Sequence, residues 1–280
     1  MVDELKARFR LHHLLKATGL PKSVYYYHRK ALEVACPDSI VKSQIRDIYH
    51  QHKGRYGYRR ITCTLRLSGM EINHKRVQRL MNELGLKSKV RPKRYKSYRG
   101  EIGKIAPDLV QRNFKADKPN QKWVTDVTEF KVGEQKVYLS PVIDLFNQEV
   151  VSYEVRKTVA LPLVTDMLKS ATAKLRKHEQ PIVHSDQGWQ YQNRLYQQHL
   201  REKGLSQSMS RKGNCLDNAV AENFFGILKT EMYHNEVFKS ADDLIESIKE
   251  YIDYYNNKRI KLKLKGLSPI EYRNQTLVAA

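Results

Sequence analysis

Three acids sit where acids are costly. Asp126 falls within an alternating stretch, WVTDVTEF, flanked by apolar residues. Asp186 follows a short apolar run in PIVHSDQGW, just past its end and ahead of Gln-Gly. Glu222 lies in CLDNAVAENFFGILKTEMY, with 35 residues between it and Asp186. An ionised carboxylate is expensive to bury unless it binds a cation or is otherwise paired. Carboxylates from three separate elements, converging at one sheet edge, would hold hard divalent cations, which take oxygen ligands. Read singly, each acid serves as well as a cap or a surface charge; the constellation carries the weight.

The elements that must position these acids are an α/β set. KWVTDVTEFKV alternates apolar and polar residues as a strand does. Gly133-Glu134-Gln135 turns the chain into KVYLSPVIDLF, and Asn147 marks a turn before EVVSYEVRKT. These three antiparallel strands lead into a helix over 161–177. A short strand in PIVHSD follows, then a helix over 194–203, a strand in LSQSMS, and a last long helix over 241–257. In the stretch carrying Glu222, about 100° per residue puts Val220, Phe224, Ile227 and Leu228 on one side. Glu222, Lys229 and Tyr233 fall opposite. Three strands followed by alternating helix and strand is the order of the ribonuclease H-like fold, a mixed five-stranded sheet with flanking helices.

Charge divides the chain differently. Of the 280 residues, 51 are Lys or Arg and 30 are Asp or Glu, a formal net charge of +21. Residues 1–115 hold 27 basic and 9 acidic residues, a net of +18, and the remainder is near neutral. A basic half joined to a near-neutral half points to a polyanion-binding region beside a separately folded domain. The basic half has no Trp-anchored amphipathic helix for a membrane surface, so nucleic acid is the expected partner.

Within that half, residues 5–16 and a helix restarting at Lys22 flank Thr18-Gly19-Leu20-Pro21, the layout of a helix-turn-helix. SIVKSQIRDIYH sets Ile40, Ile45, Ile48 and Tyr49 on one side. In INHKRVQRLMNELGL, Asn73 is the expected N-cap, Val77, Leu80, Met81 and Leu84 the apolar stripe, and Gly85 the stop. Lys75, Arg76 and Arg79 lie off that stripe, where a recognition helix presents cations to phosphates and base edges. Tyrosines and cations alternate through KSKVRPKRYKSYRGEIGKIAPD, a linker that would track a phosphate backbone. The expected domains are therefore 1–35, 36–90, a basic linker 91–115, a catalytic core 116–235 and a C-terminal helical extension 236–280.

Cys36, Cys63 and Cys215 show no CxxC pairing, so neither a disulfide framework nor a zinc knuckle is indicated. No apolar run spans a bilayer and no signal-peptide core is present. A cytoplasmic protein is expected.

WVTDVTEF, HSDQGWQY and SRKGNCLDNAVAENFF together resemble the DDE transposases of bacterial insertion sequences. More narrowly, they resemble the OrfB product of elements with overlapping OrfA and OrfB frames. HKGRYGYRRI and INHKRVQRLMNELGL resemble that family's helix-turn-helix segment, and YYNNKRIKLKLKGLSPIEY its C-terminal signature. The resemblance implies an integrase-type core with Asp126, Asp186 and Glu222 as catalytic triad and metal ligands, holding two Mg²⁺ or Mn²⁺ ions. It implies cleavage at the element's terminal inverted repeats and strand transfer by the freed 3′-hydroxyl. Arg59, Arg60, Lys75, Arg76 and Arg79 would contact double-stranded DNA, and Lys229 would either meet the DNA end or be merely solvated. Implied partners are the OrfA product or an OrfA–OrfB fusion, with this chain then lacking a helical oligomerisation segment, and a homodimer or larger assembly in the bacterial nucleoid. The competing readings are a ribonuclease H-like nuclease and a catalytically silent DNA-binding regulator.

Other residues have assigned places. Asp144 is expected at a structural position near the site, with ligation as its alternative, and Asp217 as a cap before Asn218. His184 would either orient a carboxylate or sit in the core. Trp189 and Lys261 depart from the small residue and the histidine that the family shows there. Trp189 would stack on a flanking base or merely pack. The MSRKGNC loop, with Gly213, is expected to order over DNA or metal.

Overall fold

The computed structural model describes residues 2–33, 38–89, 106–211, 218–234 and 236–278. Cys36, Cys215, Gly213, Asp217 and most of the basic linker lie outside them. The chain divides into two units, Met1–Lys87 and Ser88–Ala280.

The first unit is all helical: α1 Val2–Leu5, α2 Leu11–Thr18, α3 Lys22–Glu33, α4 Ser39–Gln51, α5 Tyr58–Leu67 and α6 His74–Glu83. The single helix expected over 5–16 is broken, because residues 4–10 are exposed and Leu5 and Phe9 meet no core. Gly19, at φ 67°, ends α2 in the left-handed conformation that glycine adopts without steric cost. In α4 the buried positions are Val41 and Ile45, while Ile40 is 71% exposed. Val41, Ile45 and Ile48 keep the i, i+4, i+7 spacing and Ile40 does not. Ile45, Tyr56, Ile61, Leu65, Val77 and Leu80 form a dry centre for α4–α6. Asn73 caps α6 by accepting the Lys75 N–H at 2.9 Å, and Gly85 follows at φ 67°.

The second unit is a mixed sheet between two helical layers, the ribonuclease H-like arrangement. Its strands are β1 Lys122–Thr125, β2 Thr128–Val132, β3 Gln135–Asp144, β4 Val150–Arg156, β5 Ile182–Ser185 and β6 Ser206–Met209. β3 pairs antiparallel with β1, β2 and β4, whereas β1, β5 and β6 run parallel. The stretch 122–132, expected as one strand, is interrupted at Asp126-Val127. Thr125 pairs with Val142 and Thr128 with Leu139, so the register carries across the gap and sets Asp126 opposite Pro141. Pro141 has no amide hydrogen to give to a ladder, and pairing lapses beside it. β1 and β2 therefore occupy one sheet position, which leaves the five expected.

Side chains alternate across the sheet. On one face Val124, Phe130, Val137, Leu139 and Ile143 meet α10 (Ala219–Leu228) and α11 (Ala241–Asn257). On the other, Trp123, Val142 and Val183 meet α7 (Leu161–Thr172), α8 (Trp189–Gln192) and α9 (Arg194–Glu202). α12, Pro269–Val278, closes the chain. The buried residues of α10 are Ala221, Phe224, Phe225, Gly226 and Leu228, so its packed face is rotated from the stripe expected at 220, 224, 227 and 228. This helix is apolar on nearly every side, and periodicity alone does not choose a face. It ends in one π-helical turn, Lys229–Tyr233, a widening frequent at functional sites.

That turn is anchored twice. Glu231, buried, receives Arg259 at 2.8 Å and 2.6 Å and the Tyr251 hydroxyl at 2.9 Å. The Tyr233 hydroxyl donates to the Lys131 carbonyl at 2.6 Å and accepts the Lys131 N–H at 3.1 Å, satisfying β2 where no strand does. No helix among the described residues is long and apolar enough to cross a membrane.

Candidate active site

Asp126 and Asp186 stand at corresponding positions on neighbouring parallel strands. β1 and β5 pair in register through Val124 and His184, and each aspartate comes two residues later. Parallel strands lie about 4.8 Å apart, so the two chains leave the sheet side by side at their carboxyl ends. Asp126 Oδ1 accepts its neighbour's N–H, Val127, at 2.8 Å. Asp186 Oδ1 accepts the Gly188 N–H at 2.9 Å. Glu222 enters from the first turn of α10, which packs over β1.

The electrostatics tie the three together. Burial pushes the Asp126 carboxyl well above the ordinary carboxylate range, and the charges of Asp186 and then Glu222 push it further. The Val127 N–H and the Lys229 ammonium oppose that rise. Burial likewise raises Asp186, against the Gly188 N–H and the charge of His184. Among the described residues no three ligating side chains already close on one point as a metal cage. A cation would draw the carboxylates in and relieve their repulsion.

Beneath the acids runs a buried polar layer that sequence reasoning missed. The Thr125 hydroxyl lies 3.4 Å from the Tyr191 hydroxyl. Tyr191 is fully buried and its phenol is pushed up by burial, then by the charges of Asp126 and Asp186. The Thr125 carbonyl accepts the Asn218 amide at 3.4 Å. Asn218 precedes Glu222 by one helical turn, so this contact links the acid-bearing helix to the acid-bearing strand. The DNAVAE spacing holds that signal, since residues four apart share a face. Gly188 is a second such residue. A Cβ there would lie 2.7 Å from Gln190 Nε2 and 3.0 Å from Asp186 Oδ1.

Lys229 follows Glu222 by two turns, with Nζ 5.1 Å from the Phe130 ring centroid. His184 is buried and bonds Ser208 Oγ through Nδ1 at 2.8 Å, so it is a core residue that also lowers Asp186. Asp144 does not join the site. It pairs with Trp123, about 10 Å along the strand from Asp126. There it is buried and accepts the Asn120 and Phe146 N–H groups at 2.8 Å and 3.0 Å, with Arg273 at 3.4 Å. Lys261 is turned inward, donating to Tyr255 at 2.6 Å and Gln148 at 2.8 Å. Trp189 stands 55% exposed.

In the helical unit the expected DNA contacts separate into groups. Arg59 and Lys75 are exposed. Arg60 is half-buried and donates to the Arg55 carbonyl at 3.4 Å. Arg76 and Arg79 both grip Asp38, at 2.5 Å and 2.8 Å, and Arg79 also bonds Glu83 at 2.5 Å. These two arginines are held by the unit's own acids.

Comparison with known proteins agrees in kind. The integrase core domain matches residues 116–215 and again 222–277, and an HTH-like domain matches 37–94. InsK of insertion sequence element IS150 from Escherichia coli (strain K12) is 55% identical over 276 residues, 99% of this chain and 98% of that one. The transposase for IS904 of Lactococcus lactis subsp. lactis (strain IL1403) is 37% identical over 249 residues, 88% of this chain and 98% of the relative. Among solved structures, the HTLV-2 integrase catalytic core domain in complex with magnesium aligns with a TM-score of 0.46 at 18% identity. It covers 57% of this chain and 99% of that one.

Proposed function

The chain belongs to the transposases of bacterial insertion sequences, with an integrase core and an HTH-like DNA-binding domain, and from that premise we propose which residues do its chemistry. Asp126, Asp186 and Glu222 are the catalytic carboxylates and hold divalent cations, Mg²⁺ or Mn²⁺, two per site. One observation carries this reading: Asp126 and Asp186 leave adjacent parallel strands two residues past the paired Val124 and His184, and Glu222 enters from the first turn of the helix packed over β1. Their donors are all oxygen, which suits hard cations. Bound cations would supply the charge that activates an attacking oxygen and stabilises a leaving one.

The remaining steps fall to the chain's own side chains. The helical unit binds the element's terminal inverted repeats, with Arg59 and Lys75 first to meet phosphate. Arg60 supports its own turn, and Arg76 and Arg79 reach DNA only on leaving Asp38. Lys229, on the Glu222 side of its helix, fixes a phosphate of the DNA end. A water oxygen attacks phosphorus at that end, the bond from phosphorus to the element strand's 3′-oxygen breaks, and the flanking strand departs with the 5′-phosphate while the element keeps a free 3′-hydroxyl. That hydroxyl oxygen then attacks a target phosphodiester and displaces its 3′-oxygen. Two element ends must be joined, so the working form is a homodimer or larger assembly on nucleoid DNA, made with the OrfA product or as an OrfA–OrfB fusion.

The test is a labelled duplex carrying the element's end, incubated with the protein in Mg²⁺, Mn²⁺ or EDTA. Metal-dependent nicking at the end, lost in Asp126→Asn and Asp186→Asn, is the expected result. Nicking that persists in EDTA would refute the metal reading.

A further inference from the structure

Four residues make up α8, and they are treated very differently. Gln190 and Tyr191 are buried, Tyr191 completely, while Trp189 beside them is 55% exposed. It is the only exposed aromatic among the described residues of the second unit. An indole left in water forfeits much of the burial that makes tryptophan favourable in a core. Its position is also fixed. The Gly188 N–H is bonded to Asp186 Oδ1, and the Tyr191 N–H to the Gly188 carbonyl at 3.0 Å. Three peptide units separate Trp189 from Asp186, so their Cα atoms are at most about 11 Å apart. Five residues on, Arg194 opens α9, exposed and with no ion pair among the described residues.

An exposed indole close to a phosphodiester-cleaving carboxylate, with an uncommitted guanidinium nearby, matches the chemistry of a stacking platform for single-stranded DNA. We propose that Trp189 is a nucleobase-binding subsite. Its indole stacks on a base that has left the duplex next to the phosphate undergoing attack, while Arg194 neutralises a flanking phosphate. Unstacking a base near the cut lets the backbone bend into the carboxylates, and the indole face replaces the lost stacking partner. Every base has a π-face, so the subsite is tolerant of sequence and would serve ends and targets of varied composition. This inference rests on the catalytic reading of Asp186.

Trp123 is the protein's other tryptophan and is fully buried, so a change in indole emission on adding DNA reports Trp189. Wild type, Trp189→Leu and Trp189→Phe are titrated in EDTA with two duplexes. One ends in the element's terminal repeat with a short single-stranded overhang; the other is an unrelated blunt duplex of equal length. Quenching of wild-type emission, absent in Trp189→Leu, is expected. Trp189→Leu should bind the overhang duplex about tenfold more weakly and Trp189→Phe within about twofold of wild type, as loss and retention of one stacked base predict. Quenching by the first duplex assigns the base to the element end, and by the blunt duplex alone to the target. Unchanged emission with both, or wild-type affinity in Trp189→Leu, overturns the subsite. So does an emission shift that follows protein concentration without DNA, which gives this face to a second copy of the chain. Nicking by wild type in Mg²⁺ is scored alongside. Nicking without quenching sinks the stacking alone, whereas nicking that persists in Asp186→Asn sinks the catalytic reading.

Discussion

Asp126 and Asp186 leave adjacent parallel strands at the same rung, two residues beyond the paired Val124 and His184. The sheet thus places two carboxylates side by side before any ligand arrives. Asp126 can turn out of the ladder because Pro141, opposite it, donates nothing. The helix carrying Glu222 is tied to the same strand through Asn218 and Thr125.

This crowding has a pH signature. The folded-state carboxyl of Asp126 is raised above its unfolded value, so its protonated form is favoured on folding. The stability it contributes is full below the ordinary aspartate range, near pH 4, and is lost as pH rises through the raised folded value. Asp126→Asn, which never ionises, should therefore stabilise the metal-free protein at pH 7 and make no difference near pH 3.5. Thermal melts at the two pH values check it. Added Mg²⁺ should raise the melting temperature of wild type more than that of the variant.

Gly188 predicts a purely steric defect. Its φ of −57° suits any residue, so alanine brings no backbone strain. The new methyl instead presses on Gln190 and on the Asp186 carboxylate. The Asp186 carboxylate must then give by a few tenths of an ångström, short of the 1 Å misplacement that costs about a hundredfold in rate. Gly188→Ala should lower nicking by up to about tenfold while leaving duplex affinity unchanged, read by single-turnover cleavage beside a gel-shift titration.

The Glu231–Arg259 pair supports the π turn that carries Lys229 and Tyr233. Both side chains are buried, at 7% and 2% exposure. Removing one member of a buried ion pair strands the other charge, at a cost of about 3–5 kcal/mol. Glu231→Gln should lower the urea midpoint of the catalytic unit by a corresponding amount. Lys115→Ala, at an exposed pair with Asp117, should leave it within error.

On the proposed reading of the helical unit as the DNA-binding part, Asp38 restrains its grip on DNA. It occupies two arginines that point from the expected recognition helix. Asp38→Asn should tighten non-specific binding at low salt and steepen the slope of log K against log salt by up to about 2, one phosphate for each released arginine. Lys75→Ala should make that slope shallower by about 0.9. Fluorescence anisotropy across a salt series measures both.

Much of this was legible from residue order. Acids inside apolar strands are anomalies that sequence displays directly, and the alternation in WVTDVTEF and KVYLSPVIDLF announces the sheet. The break at Asp126 was not visible in its own strand, because its cause, Pro141, lies fifteen residues away across the ladder. The face of α10 was misassigned because Val220, Ala221, Phe224, Phe225, Ile227 and Leu228 surround it with apolar choices. Ile40 was misplaced by one position for a similar reason, with Val41 beside it. The capture of Arg76 and Arg79 depends on Asp38, on another helix, and no local pattern contains it. Periodicity likewise cannot announce a π turn, and the buried partner of its Glu231, Arg259, lies 28 residues on.

The central claim is that Glu222 completes the catalytic site, and one substitution addresses it. Glu222→Gln keeps the side chain's size and removes its charge. Cleavage of a labelled element end in Mn²⁺ would be followed for wild type and variant, with binding of the same duplex measured in parallel. Loss of nicking with binding retained is the predicted result. Nicking at the wild-type rate in Glu222→Gln would contradict the account and remove this residue from the site.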